Sequence, residues 1–194
     1  MCGRYCIGPD NEALRRIVAE AQAKAEGRGL AVKTGEIFPS EIVPAVANGR
    51  DLKPAVFPMR WGFPGKSGKP VINARSETAE ERPLFRESTR LRRCLLPATD
   101  YYEWRHVPGE KEKYAIRPEG QELLYLGGLY RLRPGEPCAE FVILTRPAAE
   151  NVAFLHDRMP VILPAERISD WLDPQIPFSA LLAAAEKRMQ FRTA

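Results

Sequence analysis

Residues 93–117 read RCLLPATDYYEWRHVPGEKEKYAIR, and this stretch decides the fold. Apolar and aromatic residues run through Cys94–Leu96, Tyr101–Arg105 and Tyr114–Arg117, each too short for a helix and each bounded by turn formers. Pro108-Gly109 supplies a tight turn between the last two. Downstream the pattern repeats at Leu123–Tyr130 and Phe141–Thr145, with Pro134-Gly135 between them. Strands joined this closely predict an antiparallel meander or barrel.

Upstream, Leu14, Ile17, Val18, Ala21 and Ala25 recur at helical spacing across Asp10–Glu26, with Pro9-Asp10 as the start signal and Gly27-Arg28-Gly29 as the stop. Glu41–Phe57 reads as two strands about an Asn48-Gly49 turn, and Pro44 and Pro54 predict that this hairpin lies at a sheet edge. Gly65–Lys69 reads as a mobile cationic loop. Ser76-Glu77-Thr78 predicts a capped short helix, and Pro83 opens another to about Arg90. A short helix is expected at Ala149–Leu155, a strand at Met159–Leu163, and helices at Ala165–Leu172 and Phe178–Arg188.

The chain of 194 residues suits a single domain over 1–194, with 44% hydrophobic and 28% charged residues, as in ordinary globular proteins. A net charge of +4 and a pI near 8.9 permit an anionic partner without requiring one. With no signal peptide and no apolar run long enough to span a bilayer, a cytoplasmic location with reduced thiols is expected. Cys94 and Cys138 stand alone and only Cys2 and Cys6 are closely spaced, so no metal site is expected.

Met1-Cys2 carries the first chemical signal. Initiator methionine is normally trimmed before a small residue, which would expose an amine and a thiol on adjacent carbons. Free amines of this kind titrate at about 7.7–8.0 and thiols at about 8.5, so both have nucleophilic fractions near neutral pH. An aldehyde would condense with the amine, and the thiol could then close a thiazolidine ring. Taken alone, a lone cysteine is more often structural than catalytic.

Glu103 alternates with Tyr102 and Trp104, sharing a strand face with Tyr101 and Arg105. Inside a curled sheet it would be desolvated and suited to proton transfer; on an open surface it would be an ordinary solvated or paired carboxylate. His156 sits between an apolar segment and Asp157-Arg158, where it could act as acid or base or simply hold a loop. Asn73 could donate to a developing oxyanion or hold a turn. Arg4, Arg75 and Arg158 each stand within two residues of one of these groups and could grip phosphates.

Taken together, Met1–Tyr5, Trp61-Gly62, Asn73–Thr78, Arg93–Ala98, Tyr102-Glu103-Trp104, Gly127–Tyr130, Leu144-Thr145 and His156–Pro160 resemble the SOS-response-associated peptidase family, whose members process abasic sites. The resemblance runs in order to about residue 163. It implies an α+β fold with an antiparallel, barrel-like sheet and flanking helices. It also implies binding of single-stranded DNA at an abasic site by a monomer, without cofactor, metal or membrane. By the same resemblance, Cys2 would form a thiazolidine crosslink with the opened sugar after Met1 is removed, protecting the lesion. Asn73 would position the sugar oxygen, Glu103 would shuttle protons, His156 would assist at the Schiff-base stage and in reversal, and Arg4, Arg75 and Arg158 would hold flanking phosphates. Autopeptidase and weak lyase activities are implied as well. Thr99-Asp100-Tyr101, the shortened Phe63–Pro70 segment and the early end at Ala194 depart from the family's pattern. The alternatives are an N-terminal-cysteine peptidase or amidohydrolase acting on peptides, and a noncatalytic module that binds damaged single strands.

Overall fold

A computed structural model describes residues 2–66, 68–186 and 188–194. In chain order the elements are β1 Tyr5–Ile7, α1 Glu12–Glu26, β2 Gly35–Ile37, β3 Ile42–Asn48, β4 Pro54–Trp61, β5 Asn73–Arg75, α2 Arg86–Leu91, β6 Arg93–Ala98 and β7 Asp100–Val107. They continue as β8 Glu110–Pro118, β9 Leu124–Arg131, β10 Ala139–Pro147, β11 Arg158–Pro160, β12 Ile162–Leu163, α3 Ile168–Leu172, α4 Phe178–Leu182 and β13 Met189–Thr193. The fold is α+β, mostly sheet with few helices.

Five strands form one sheet in the order β13-β8-β7-β1-β2. A larger sheet runs β11-β10-β4-β3-β6-β9-β12, and β10 also pairs with β9, so its hydrogen bonds return on themselves through β10, β4, β3, β6 and β9. Two features differ from the antiparallel, barrel-like sheet expected from sequence. The strands divide between two sheets, and β10 runs parallel to β4 and β5. The division falls at Thr99: β6 pairs with β3 and β9, whereas β7 pairs with β8 and β1. Pairing between β6 and β7 would need a tight reversal, and the single residue between them only redirects the chain.

Asn11, rather than Asp10, caps α1, its side chain accepting from the Leu14 N–H at 3.0 Å. The helix buries Leu14, Ala21 and Ala25, and Lys24 donates to the Val56 carbonyl of β4 at 2.7 Å. The β7–β8 hairpin closes with Val107 opposite Glu110, and Gly109 takes φ +82°, a left-handed conformation that disfavours a side chain.

Several expectations require correction. The β3–β4 connection is the five-residue segment 49–53 rather than a two-residue Asn-Gly turn, because pairing ends at Asn48 opposite Pro54. The hairpin is interior to its sheet, with β3 between β4 and β6 and β4 between β3 and β10. Proline is tolerated there because Pro44 faces Pro58, and both lie outside the short stretches paired to β6 and β10. Residues 76–85 form successive turns rather than a capped helix, and α2 begins at Arg86. Only a 3₁₀ turn at Glu150–Val152 occupies the expected helix before His156. The strand after it splits into β11 and β12 at Val161, whose N–H donates to Leu144 and whose carbonyl accepts from Gly127. The end of the chain is a strand: α4 stops at Leu182, and β13 pairs with β8 from Met189 opposite Pro118 to Thr193 opposite Tyr114. Ser67, in the loop expected to be mobile, lies outside the described residues.

One core cluster joins Cys2, Tyr5 and Tyr101 to Trp61 and Phe141 of the larger sheet, uniting the two sheets. A second lies under α3 and α4, where Trp171 and Phe178 cover Leu129 and Val142. Trp171 also donates to the Cys94 carbonyl at 2.9 Å, so its buried N–H is satisfied.

Candidate active site

The first strand delivers Cys2 to the sheet junction. Tyr5 pairs with Tyr101 and Cys6 with Asp100, and the Tyr102 N–H donates to the Arg4 carbonyl at 2.9 Å. Continuing that register two residues beyond the Tyr5–Tyr101 pair sets Gly3 across from Glu103. Cys2 is fully buried, its thiol weakly bonded to the Arg4 carbonyl at 3.8 Å. The Asn73 amide donates to the Cys2 carbonyl at 2.9 Å, so β5 holds the main chain of residue 2. Asn73 Oδ1 is buried without a partner.

Glu103 is 7% exposed and shares the inward face of β7 with Tyr101, as period-two alternation requires. Burial raises its carboxyl above the ordinary value, and the negative charge of Asp157 adds to this. Burial pushes the Cys2 thiol up to about 12, with the Glu103 charge the next cause. Cys2 and Glu103 therefore lie within electrostatic reach of one another, and Glu103 within reach of the Asp157 beside His156.

His156 is half-buried, and its Nδ1 lies 2.9 Å from the Arg158 N–H and 2.7 Å from an Asp157 carboxylate oxygen. The first contact uses the ring's lone pair and the second requires a proton, so protonation exchanges one partner for the other. Burial lowers the ring below the ordinary histidine value, with the positive charge of Arg158 adding to this and Asp157 opposing it.

The three arginines differ. Arg4 bonds Glu36 at 2.8 Å, and its guanidinium sits 3.8 Å from the Phe38 ring centre and 5.1 Å from that of Trp104. Arg158 bonds both Glu77 oxygens, one of them at 2.8 Å, and the Thr145 carbonyl at 2.7 Å. Arg75 is exposed and has no ionic partner among the described residues. Glu36 also takes Lys113 at 2.8 Å, and Lys113 lies 3.9 Å from the Tyr102 ring centre.

Glu36, Phe38 and Lys113 were not legible as neighbours of Arg4, since they come from β2, the segment after it and β8. Glu77 was not legible as the partner of Arg158 either, since the two stand 81 positions apart. Among the described residues, no three His, Cys, Asp or Glu side chains gather as metal ligands. No helix there is long and apolar enough to cross a membrane.

This two-sheet α+β scaffold with Cys2 at the sheet junction matches the SOS response associated peptidase (SRAP) family over residues 1–193, and the chain belongs to that family. Abasic site processing protein YoqW of Bacillus subtilis (strain 168) is 37% identical over 119 residues, covering 59% of this chain and 53% of that protein. The chain thus spans about half the length of the first curated relatives it matches. Abasic site processing protein YedK of Escherichia coli (strain K12) is 27% identical over 184 residues, 91% of this chain and 81% of that protein. Among solved structures, a phage-related protein of Bordetella bronchiseptica superposes with a TM-score of 0.75 at 25% identity, over all of this chain and 94% of the other.

Proposed function

We propose that this chain processes abasic sites in single-stranded DNA through the aminothiol that Cys2 presents once Met1 is gone. The observation that carries the reading is the setting of Cys2, whose carbonyl is held by Asn73 and whose buried thiol is electrostatically linked to Glu103. The names of the relatives point to the same class of lesion.

The opened sugar offers an aldehyde. The Cys2 amine adds to its carbon, and the resulting carbinolamine loses one water to give an imine. The thiol sulfur then bonds to the imine carbon while its proton passes to the nitrogen, closing a five-membered thiazolidine. One water is released and no oxidant or reductant is consumed. A thiol pushed up to about 12 by burial arrives protonated, so the amine reacts first and ring closure needs a proton acceptor. Glu103, its proton affinity raised by burial, can protonate the departing hydroxyl and then accept the thiol proton. Asn73 fixes the Cys2 main chain and leaves its Oδ1 for the sugar hydroxyl. His156, exchanging partners with its protonation, serves proton transfer at the imine and in reversal.

Arg75 is open to a phosphate, whereas Arg4 and Arg158 must share or exchange Glu36 and Glu77 to take one. Removal of Met1 by the same centre and a weak lyase reaction through the imine belong to this reading.

Purified protein is incubated with abasic and intact oligonucleotides, and intact mass verifies that Met1 is absent. The expected result is a heat-stable adduct on the abasic strand alone, lost in Cys2→Ala. Turnover of a peptide with no DNA dependence would favour an N-terminal-cysteine hydrolase instead. Salt-sensitive binding that survives Cys2→Ala with no covalent product would favour a noncatalytic module.

A further inference from the structure

Glu103 has a cross-strand partner that the chemistry above leaves unused. In the β7–β8 register Glu103 stands opposite Tyr114 and Arg105 opposite Glu112, so these four share one face of the smaller sheet. Tyr114 anchors a cluster of three rings: its centre lies 6.0 Å from Phe154 at 88° and 5.9 Å from Phe191 at 67°, and the two phenylalanines are 5.2 Å apart. Phe191 comes from β13, where it pairs with Ile116 and so shares the face of Tyr114. Phe154 precedes His156 by two residues.

A ring cluster of this kind normally belongs to a core, yet Phe154 is 49% exposed and Phe191 44%. The Arg105 guanidinium lies 5.9 Å over Phe154, is itself half exposed, and reaches Glu112 only at 3.9 Å; Glu112 also accepts from the Tyr114 hydroxyl at 3.0 Å. The tryptophan near the shortened loop cannot take the role of a stacking surface. Trp61 is fully buried, bonded to the Ile72 carbonyl at 3.0 Å and packed against Tyr5 and Phe141.

We propose that Phe154 and Phe191, backed by Tyr114, form a stacking platform for a nucleobase next to the lesion, with Arg105 meeting the adjoining phosphate. An exposed π face beside a half-free guanidinium matches a planar base carrying an anionic backbone. Continuity with the candidate centre selects the strand: the platform lies on the face of Glu103, and Phe154 leads directly into His156. The proposal rests on the abasic-site reading for the identity of the strand.

The test uses the full chain and two readouts. The first is equilibrium binding of an intact fluorescein-labelled single-stranded oligonucleotide by anisotropy. The second is the rate of adduct formation on an abasic oligonucleotide whose neighbouring nucleotide, on either side in turn, carries a base or a baseless tetrahydrofuran spacer. Phe154→Ala with Phe191→Ala should weaken intact-strand binding by roughly 5- to 150-fold, the range of aromatic–base stacking. On one side of the lesion the spacer should slow the wild type and leave the double variant unaffected. Phe154→Trp should restore binding, with its fluorescence quenched by the strand. Wild-type affinity in a folded double variant, or equal spacer effects in both proteins, would overturn the platform while leaving the abasic-site reading intact. Absence of any wild-type adduct would remove that reading, and the anisotropy comparison would still decide the platform. Failure of the wild type to bind a single strand would end both.

Discussion

Glu77→Gln is a direct measurement of how firmly the fold holds Arg158. The Arg158 guanidinium beside Glu77 keeps that carboxyl down at about 2, against an ordinary 4.5. Each tenfold change in proton affinity is worth about 1.4 kcal/mol, so full linkage would amount to about 3.4 kcal/mol. Glu77 is 43% exposed, however, and solvent screening reduces this to about 1 kcal/mol. Because the folded chain binds the proton more weakly than the unfolded chain, this stabilisation is fully present above pH 4.5. It is lost as pH falls toward about 2.

Urea unfolding followed by tryptophan fluorescence should therefore show the variant about 1 kcal/mol less stable at pH 7. In a chain of this length that corresponds to a melting temperature lower by about 2–4 °C. The gap should narrow through the acid range. Equal stabilities at pH 7, or a gap undiminished near pH 2.5, would refute the pairing. The same substitution frees Arg158 for phosphate, so single-strand affinity should rise by up to about fivefold, the equivalent of that 1 kcal/mol.

Cys2→Ser should form an imine that borohydride traps but no adduct that survives heating, since a hydroxyl replaces the ring-closing thiol. Glu103→Gln should slow adduct formation by about 10²–10⁴-fold at neutral pH with the fold intact, measured by single-turnover gel kinetics; an unchanged rate would remove Glu103 from proton transfer. Gly128→Ala should destabilise by about 1–3 kcal/mol in urea titration. The reason is steric: an added Cβ would lie 2.7 Å from Leu96 Cδ2 and 3.0 Å from the Val142 carbonyl oxygen, which belongs to rigid sheet backbone.

The legible parts of the site share one property: each is fixed by a neighbour near in sequence. The alternation in Tyr101–Arg105 put Glu103 on one face with Tyr101, and the fold buries both. The hairpin at Pro108-Gly109 and the helix with Leu14, Ala21 and Ala25 on its buried stripe are similarly local. The pairing of Arg4 with Glu36, and of Asn73 with the Cys2 carbonyl, joins residues 32 and 71 positions apart, and no local pattern encodes such meetings.

The C-terminal segment shows where local reading fails. Residues after Leu182 continue a helix-forming composition, but Phe191 and Met189 gain a place on the open edge of β8, and Asp100 receives Arg192 at 2.9 Å. An edge rich in unmade backbone hydrogen bonds outweighs a weak helical preference.

By itself, then, the sequence determined the strand-rich composition, most strand positions, which residues share a face of β7 and the family of the chain, because periodicity and motif order are carried by residues close together. Tertiary structure alone decided the division into two sheets at Thr99, the parallel course of β10, the terminal strand and the company kept by each arginine. Those outcomes depend on which distant backbone edges and charges meet, and that is set only when the whole chain has closed.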